Sequence, residues 1–112
     1  MSGDNSIEID VASTKALLDA GKVALLLDCR NPGEYETVRI AGSTLLPMGE
    51  IAGRLAELES YRNQPVIVHC HHGGRSRRVT EFLIGQGFSN VKNMSGGIDE
   101  WAIQIDPTLP RY

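Results

Sequence analysis

Cysteine is scarce in this chain: among 112 residues only Cys29 and Cys70 occur. Two are too few for the disulfide framework of a small secreted domain, and they do not form the spaced pairs of a zinc ribbon. Positive charge is also in short supply. The formal net charge of -3 argues against bulk attraction to nucleic acid or to an anionic membrane surface. The longest pure hydrophobic run, Val23 to Leu27, is far too short to span a bilayer. The opening Met-Ser-Gly-Asp-Asn-Ser lacks a basic region followed by an apolar run, so no secretory signal is expected. No internal repeat, low-complexity tract or interior linker breaks the chain. The expectation is a soluble protein of a reducing, cytoplasmic setting. With 41% hydrophobic and 22% charged residues, it suits one globular domain over 1–112, its core at about 7–103 and an extended tail over 104–112.

Against the acidic background stands one electropositive island. From His69 to Val79 the chain carries His69, His71, His72, Arg75, Arg77 and Arg78, and no acid. Val66-Ile67-Val68 has the β-branched composition of a buried strand. It gives way to a short loop, Cys70-His71-His72-Gly73-Gly74, after which Val79, Phe82 and Leu83 recur at i, i+3 and i+4 as one helix face. Cys70 therefore sits on a strand–loop–helix turn. Unpaired N–H groups of the first helical turn point back into such a loop, and the helix dipole adds positive potential. A thiol placed there is pushed toward thiolate, its nucleophilic form. Gly73 and Gly74 let the backbone curl around whatever the sulfur carries.

The rest of the chain alternates strand and helix signals. Ile7-Glu8-Ile9 reads as a short strand. Asp10 or Ser13 is placed to cap a helix that ends near Gly21, and Val23 to Leu27 reads as a strand buried on both faces. Asn31-Pro32-Gly33 reads as a turn, Gly42 to Pro47 as a small strand, and Ile51, Leu55 and Leu58 as a helix face. Val91 to Met94 is a last strand, followed by a brief helix carrying Trp101, and the two prolines of Asp106–Tyr112 suggest an extended or poorly ordered end. Such alternation predicts βαβ units and a parallel sheet covered on both sides. Asp28 and Cys70 both end strands and should share the carboxyl rim, where ligands bind in open α/β sheets.

Three blocks resemble the rhodanese family over nearly the whole chain. Asp28-x-Arg30-x-x-x-Glu34-Tyr35 with Ile40-x-Gly42 is similar to the family's first conserved segment, with Val38-Arg39 standing where Gly-His is usual. The loop Cys70-x-x-Gly73-x-Arg75-Ser76 resembles the family's active loop, and Gly96-Gly97-x-x-x-Trp101 its closing motif. The resemblance implies an α/β, rhodanese-like fold with a five-stranded parallel sheet flanked by helices on both faces. It implies a sulfurtransferase that moves a sulfane sulfur from thiosulfate or a persulfide donor to cyanide, a small thiol or a protein thiol. The sulfur would travel as a Cys70 persulfide, with no metal or organic cofactor. Expected partners are these small molecules and a sulfur-relay protein, and neither nucleic acid nor membrane.

Cys70 is then the expected nucleophile, with His71, His72, Gly73, Gly74, Arg75 and Ser76 around the substrate. Arg75 has two readings: binding an anionic group, or turning to an acid such as Asp28 to stiffen the loop. His71 or His72 would contact substrate or tune the sulfur's charge. Asp28 and Arg30 are expected to order the rim, and His69 to be structural. Cys29 reads as a half-buried hydrophobe able to form a disulfide with Cys70 if the two approach. Four consecutive residues, His69 to His72, do not converge readily on a metal. Two further classes stay open. One is a cysteine-dependent phosphatase or arsenate reductase, although the four-residue gap from Cys70 to Arg75 is one short of that family's loop. The other is a catalytically silent binding module.

Overall fold

Two rows of apolar side chains, alternating along each inner strand, account for the layered arrangement. The computed structural model describes residues 7–112. The N-terminal stretch read for a secretory signal lies outside them. Along the chain run β1 (Glu8–Ile9), α1 (Val11–Asp19), β2 (Leu25–Asp28), α2 (Pro32–Thr37), β3 (Thr44–Leu45), two 3-10 segments (Met48–Glu50 and Ala52–Tyr61), β4 (Val66–His69), α3 (Gly74–Gly85), β5 (Val91–Met94) and α4 (Gly97–Gln104). The strands form one sheet in the order β1-β5-β4-β2-β3, every pair parallel.

Because successive strand residues face opposite ways, β2 and β4 feed two cores. Leu25, Leu27 and Cys29 pack with Val66, Val68 and Cys70 against Val79 and Leu83 of α3 and against Ile51 and Leu58 of the 3-10 segments. Leu26 and Ile67 pack on the other face against Val11 of α1, Met94, and Ile98 and Trp101 of α4. The five-stranded parallel α/β sheet with helices on both faces is therefore present. Register places Leu27 beside Val68 and Asp28 beside His69, so the carboxyl ends of the two central strands finish together. No helix of the described residues is long and apolar enough to cross a membrane.

Local details depart from the sequence reading in two places and settle it in a third. Asn31-Pro32-Gly33 is the start of α2 and no free turn: Asn31 caps it, accepting from the Glu34 N–H while the Glu34 carboxylate accepts from the Asn31 N–H. Pro32 occupies the first helical position, where its missing N–H costs nothing. The face carrying Ile51, Leu55 and Leu58 is wound in tight 3-10 turns, broken at Arg54 (φ -117°, ψ 19°), and is no continuous α-helix. Gly49 and Gly53 fall in this stretch, and glycine weakens α-helix propagation. Of the two candidate caps for α1, Asp10 accepts from the Ser13 N–H at 2.7 Å.

Candidate active site

The site is built where β4 stops. Cys70 follows His69 directly, and the chain turns through His71 and His72 to Gly73, whose φ of 109° is a backbone conformation that favours glycine. Gly73 caps α3, so the helix's first turn faces back toward the cysteine. Cys70 Sγ accepts the Gly73 N–H at 3.1 Å and the Ser76 N–H at 3.4 Å, and lies 3.3 Å from the Ser76 hydroxyl. The residue is 1% exposed.

Cys29 lies beside it. Its N–H donates to the His69 carbonyl at 3.1 Å, one step past the Asp28–His69 register pair, and its side chain joins the same core as Cys70. It is also 1% exposed, and so is fully buried where a half-buried position was expected. The electrostatics divide the two thiols. The neighbouring Cys29 thiol does most to pull the Cys70 thiol below its ordinary value, against burial, and the Ser76 and Gly73 contacts add to it. The Cys29 thiol is pushed up, first by its neighbour Cys70 and then by burial.

Arg75 turns to an acid, as its second reading had it, but that acid is Glu34 and not Asp28. Asp28 is occupied elsewhere: the buried Arg30 donates through Nε and Nη2 to both its carboxylate oxygens, at 2.9 and 2.6 Å. Arg75 instead makes a two-pronged bond to Glu34, Nη1 to Oε1 at 2.7 Å and Nη2 to Oε2 at 2.9 Å. The planar fork of guanidinium on carboxylate ties α3 to α2 and stiffens the loop's far end. The Arg75 guanidinium holds the Glu34 carboxyl down to about 2. Glu34 was visible in the sequence motif but was not read as part of the site. The signal was there, in an Asn31-x-x-Glu34 capping box immediately after Arg30.

The tail supplies the other residue missed. Arg111 donates to Asp99 at 2.8 Å, and the Tyr112 hydroxyl donates to Glu34 at 2.6 Å while accepting from Arg30 at 2.9 Å. The Tyr112 ring stacks on His71 with centroids 3.9 Å apart and planes 10° from parallel. Nothing in Pro110-Arg111-Tyr112 announces this, because the partners are about eighty residues away in sequence. His72 lies largely in solvent with its Nδ1 3.9 Å from Asp99. Burial and the neighbouring His72 push the His71 imidazole down. His69 points to the opposite face from the sulfur, its Nε2 3.4 Å from Asp28.

The backbone of the loop is clamped from below by the start of α4. Ile98 N–H donates to the Cys70 carbonyl at 2.9 Å and Asp99 N–H to that of His71 at 3.1 Å. Approach this close needs a bare Cα: a Cβ on Gly97 would stand 2.4 Å from the His71 oxygen and 2.5 Å from that of Cys70. A recess of about 410 Å³ opens beside the loop between His72, Gly73, Gly74, Arg77, Ser95 and Gly96. Among the described residues no three His, Cys, Asp or Glu side chains cluster closely enough to hold a metal ion.

A rhodanese-like domain model matches residues 10–104. The chain belongs to the rhodanese-like domain family. It is 38% identical over 103 residues to Thiosulfate sulfurtransferase GlpE of Pseudoalteromonas translucida, covering 92% of this chain and 95% of that protein. It is 34% identical over 91 residues to an Arabidopsis thaliana chloroplastic rhodanese-like/PpiC domain-containing protein, covering 80% of this chain but only 30% of the relative, so it spans under a third of that longer protein. Among solved structures, a rhodanese-related protein from Thermoplasma volcanium superposes with a TM-score of 0.74 at 33% identity, covering 92% and 94% of the two chains. The chain thus stands among the family's sulfurtransferase enzymes.

Proposed function

We propose that this enzyme moves a sulfane sulfur through a persulfide on Cys70, taking it from thiosulfate or a small persulfide and giving it to cyanide, a small thiol or a protein thiol. The observation that carries the reading is Cys70 Sγ, seated against the Gly73 and Ser76 N–H groups at the start of α3. A thiolate there attacks the outer sulfur of thiosulfate, a Cys70–S bond forms, and sulfite leaves with the electron pair of the broken S–S bond. The loop N–H groups and helix dipole favour negative charge on the persulfide that results. An acceptor nucleophile then attacks the outer sulfur and returns Cys70 to thiolate. The scheme calls for no metal or organic cofactor.

Within it, Gly73 and Gly74 shape the cradle, Ser76 supplies a backbone donor, and His71 and His72 line the approach. Asp28 and Arg30 keep the rim in order. Two free thiols buried side by side in one core suit a reducing compartment such as the cytoplasm. A phosphatase reading finds less support. Its arginine would have to face a tetrahedral oxyanion, whereas Arg75 is held by Glu34. The test is thiocyanate formation from thiosulfate and cyanide, run beside p-nitrophenyl phosphate hydrolysis. Turnover of the first alone, abolished in Cys70→Ser, is the expected result. Phosphate release without thiocyanate would replace the proposal with the phosphatase, and neither activity would favour a silent binding module.

A further inference from the structure

The second cysteine of the chain is packed against the first, and the hydrogen-bond inventory of the site leaves it a specific task. Cys29 and Cys70 occupy adjacent positions on neighbouring parallel strands, whose spacing of roughly 4.8 Å makes their same-face side chains neighbours. Both belong to the same core cluster. The Cys29 backbone is fixed on both sides, its N–H on the His69 carbonyl and its own carbonyl accepting from Met48 N–H at 3.0 Å. Its side chain therefore stands beside that of Cys70 in the buried core.

The competing side-chain donor is Ser76, and its one hydroxyl proton is committed. Asn93 directs its Nδ2 to the Glu8 carboxylate, at 3.0 and 3.1 Å, and to the Gly73 carbonyl at 3.2 Å. All three are acceptors, so the amide orientation is determined, and Asn93 Oδ1 faces Ser76 as an acceptor. Ser76 Oγ lies 2.5 Å from that oxygen and 3.3 Å from Cys70 Sγ. Its proton goes to the nearer, harder acceptor. That leaves Cys29 as the neighbouring side chain with a proton to offer Cys70.

We propose that Cys29 is a positioning residue of the sulfur site, donating its S–H to Cys70 Sγ so that the pair's single negative charge resides on Cys70. The proposal rests on the reading of Cys70 as the sulfur carrier. Localisation follows from asymmetry: only Cys70 also has the Gly73 and Ser76 N–H groups, so the shared proton stays with Cys29. The two thiols titrate as a coupled pair whose first ionisation belongs to Cys70.

The test is a pH titration of thiolate ultraviolet absorbance in wild type, Cys29→Ser, Cys29→Ala and Cys29→Val, with Cys70→Ser subtracted to assign the signal. Cys29→Val keeps the buried volume if the smaller alanine unsettles the core, and circular dichroism confirms the fold of each variant. In wild type and Cys29→Ser, which retains a donor, Cys70 is expected to ionise well below the roughly 8.5 of a free cysteine. Loss of the donor should move that midpoint upward by about one pH unit or more. Superimposed profiles for wild type, Ala and Val would overturn the proposal, as would a Ser variant displaced as far as the other two. Sulfur loading of wild type by thiosulfate, read by mass, reports separately on the carrier role. A displaced Ala profile without loading would sink the sulfurtransferase reading and leave the donor in place.

Discussion

At the scale of residues, the site depends on charges that answer one another across three elements. Glu34 is the hub: it accepts from Arg75 twice, from Tyr112 and from the Asn31 N–H. Its folded pKa of about 2 lies below its ordinary 4.5. The stability it contributes is therefore complete above the unfolded value and is lost as pH falls through the folded one. Glu34→Gln keeps the shape and removes the charge. Because Arg75 is about a third exposed, solvent screening reduces the loss to on the order of 1 kcal/mol at neutral pH. Thermal melts of wild type and Glu34→Gln should differ by several degrees at pH 7, roughly 4–8 °C per kcal/mol in a domain of this size. The gap should close on approaching pH 2. A gap constant across that range would show that the contact acts through shape and not charge. Tyr112 is the residue that no sequence reasoning would place here. Its role depends on where α4 releases the chain, which is a tertiary outcome with no local signature.

At the scale of elements, most of what matters was legible, because strand and helix periods are written in side-chain chemistry. Val66-Ile67-Val68 read as a buried strand and Val23 to Leu27 as one buried on both faces, and they fall on the adjacent inner strands β4 and β2. The break after Cys70 and the face of Val79 and Leu83 located the cysteine on a helix start. Two local misreadings differ in cause. Pro32 and Gly33 were read as a turn, whereas they stand inside a helix start, and Ile51, Leu55 and Leu58 were read as a helix face although Gly49 and Gly53 lie in that stretch, which winds as 3-10 turns. The Gly-Gly motif shows what the sequence alone withholds: its reason lies in a carbonyl contributed by a different element. Gly97→Ala places a methyl 2.4 Å from the His71 carbonyl oxygen, at φ 61°, so either the loop or α4 must shift. The expected outcome is a loss of about 2 kcal/mol or more together with a collapse of sulfur transfer. Gly85→Ala, inside α3 with nothing within 4 Å of the added carbon, should instead hold or raise stability by up to about 1 kcal/mol. Equal tolerance of both substitutions in denaturant melts and turnover would contradict the clamp.

At the scale of the molecule, an acidic chain concentrates its histidines and an arginine at one rim of a parallel sheet, and places a buried sulfur beneath them. The fold accounts for that concentration. Parallel strands end together, the helix after the central strand β4 begins there, and the segments that follow β2 and β5 supply Glu34 below Arg75 and the Gly97 turn below the loop. The recess beside Gly73 and Gly96 carries both signs of charge, Arg77 being paired there with Glu8 and Glu81 next to His72. The central claim is that Cys70 carries sulfur covalently. It is tested most directly by intact-mass spectrometry of the pure protein after incubation with thiosulfate, beside Cys70→Ser. The account predicts a gain of one sulfur atom, roughly 32 Da, absent in the variant and removed by a small thiol as an acceptor attacks the persulfide. An unchanged wild-type mass with thiosulfate and also with a small persulfide donor, or a gain that persists in Cys70→Ser, would contradict it.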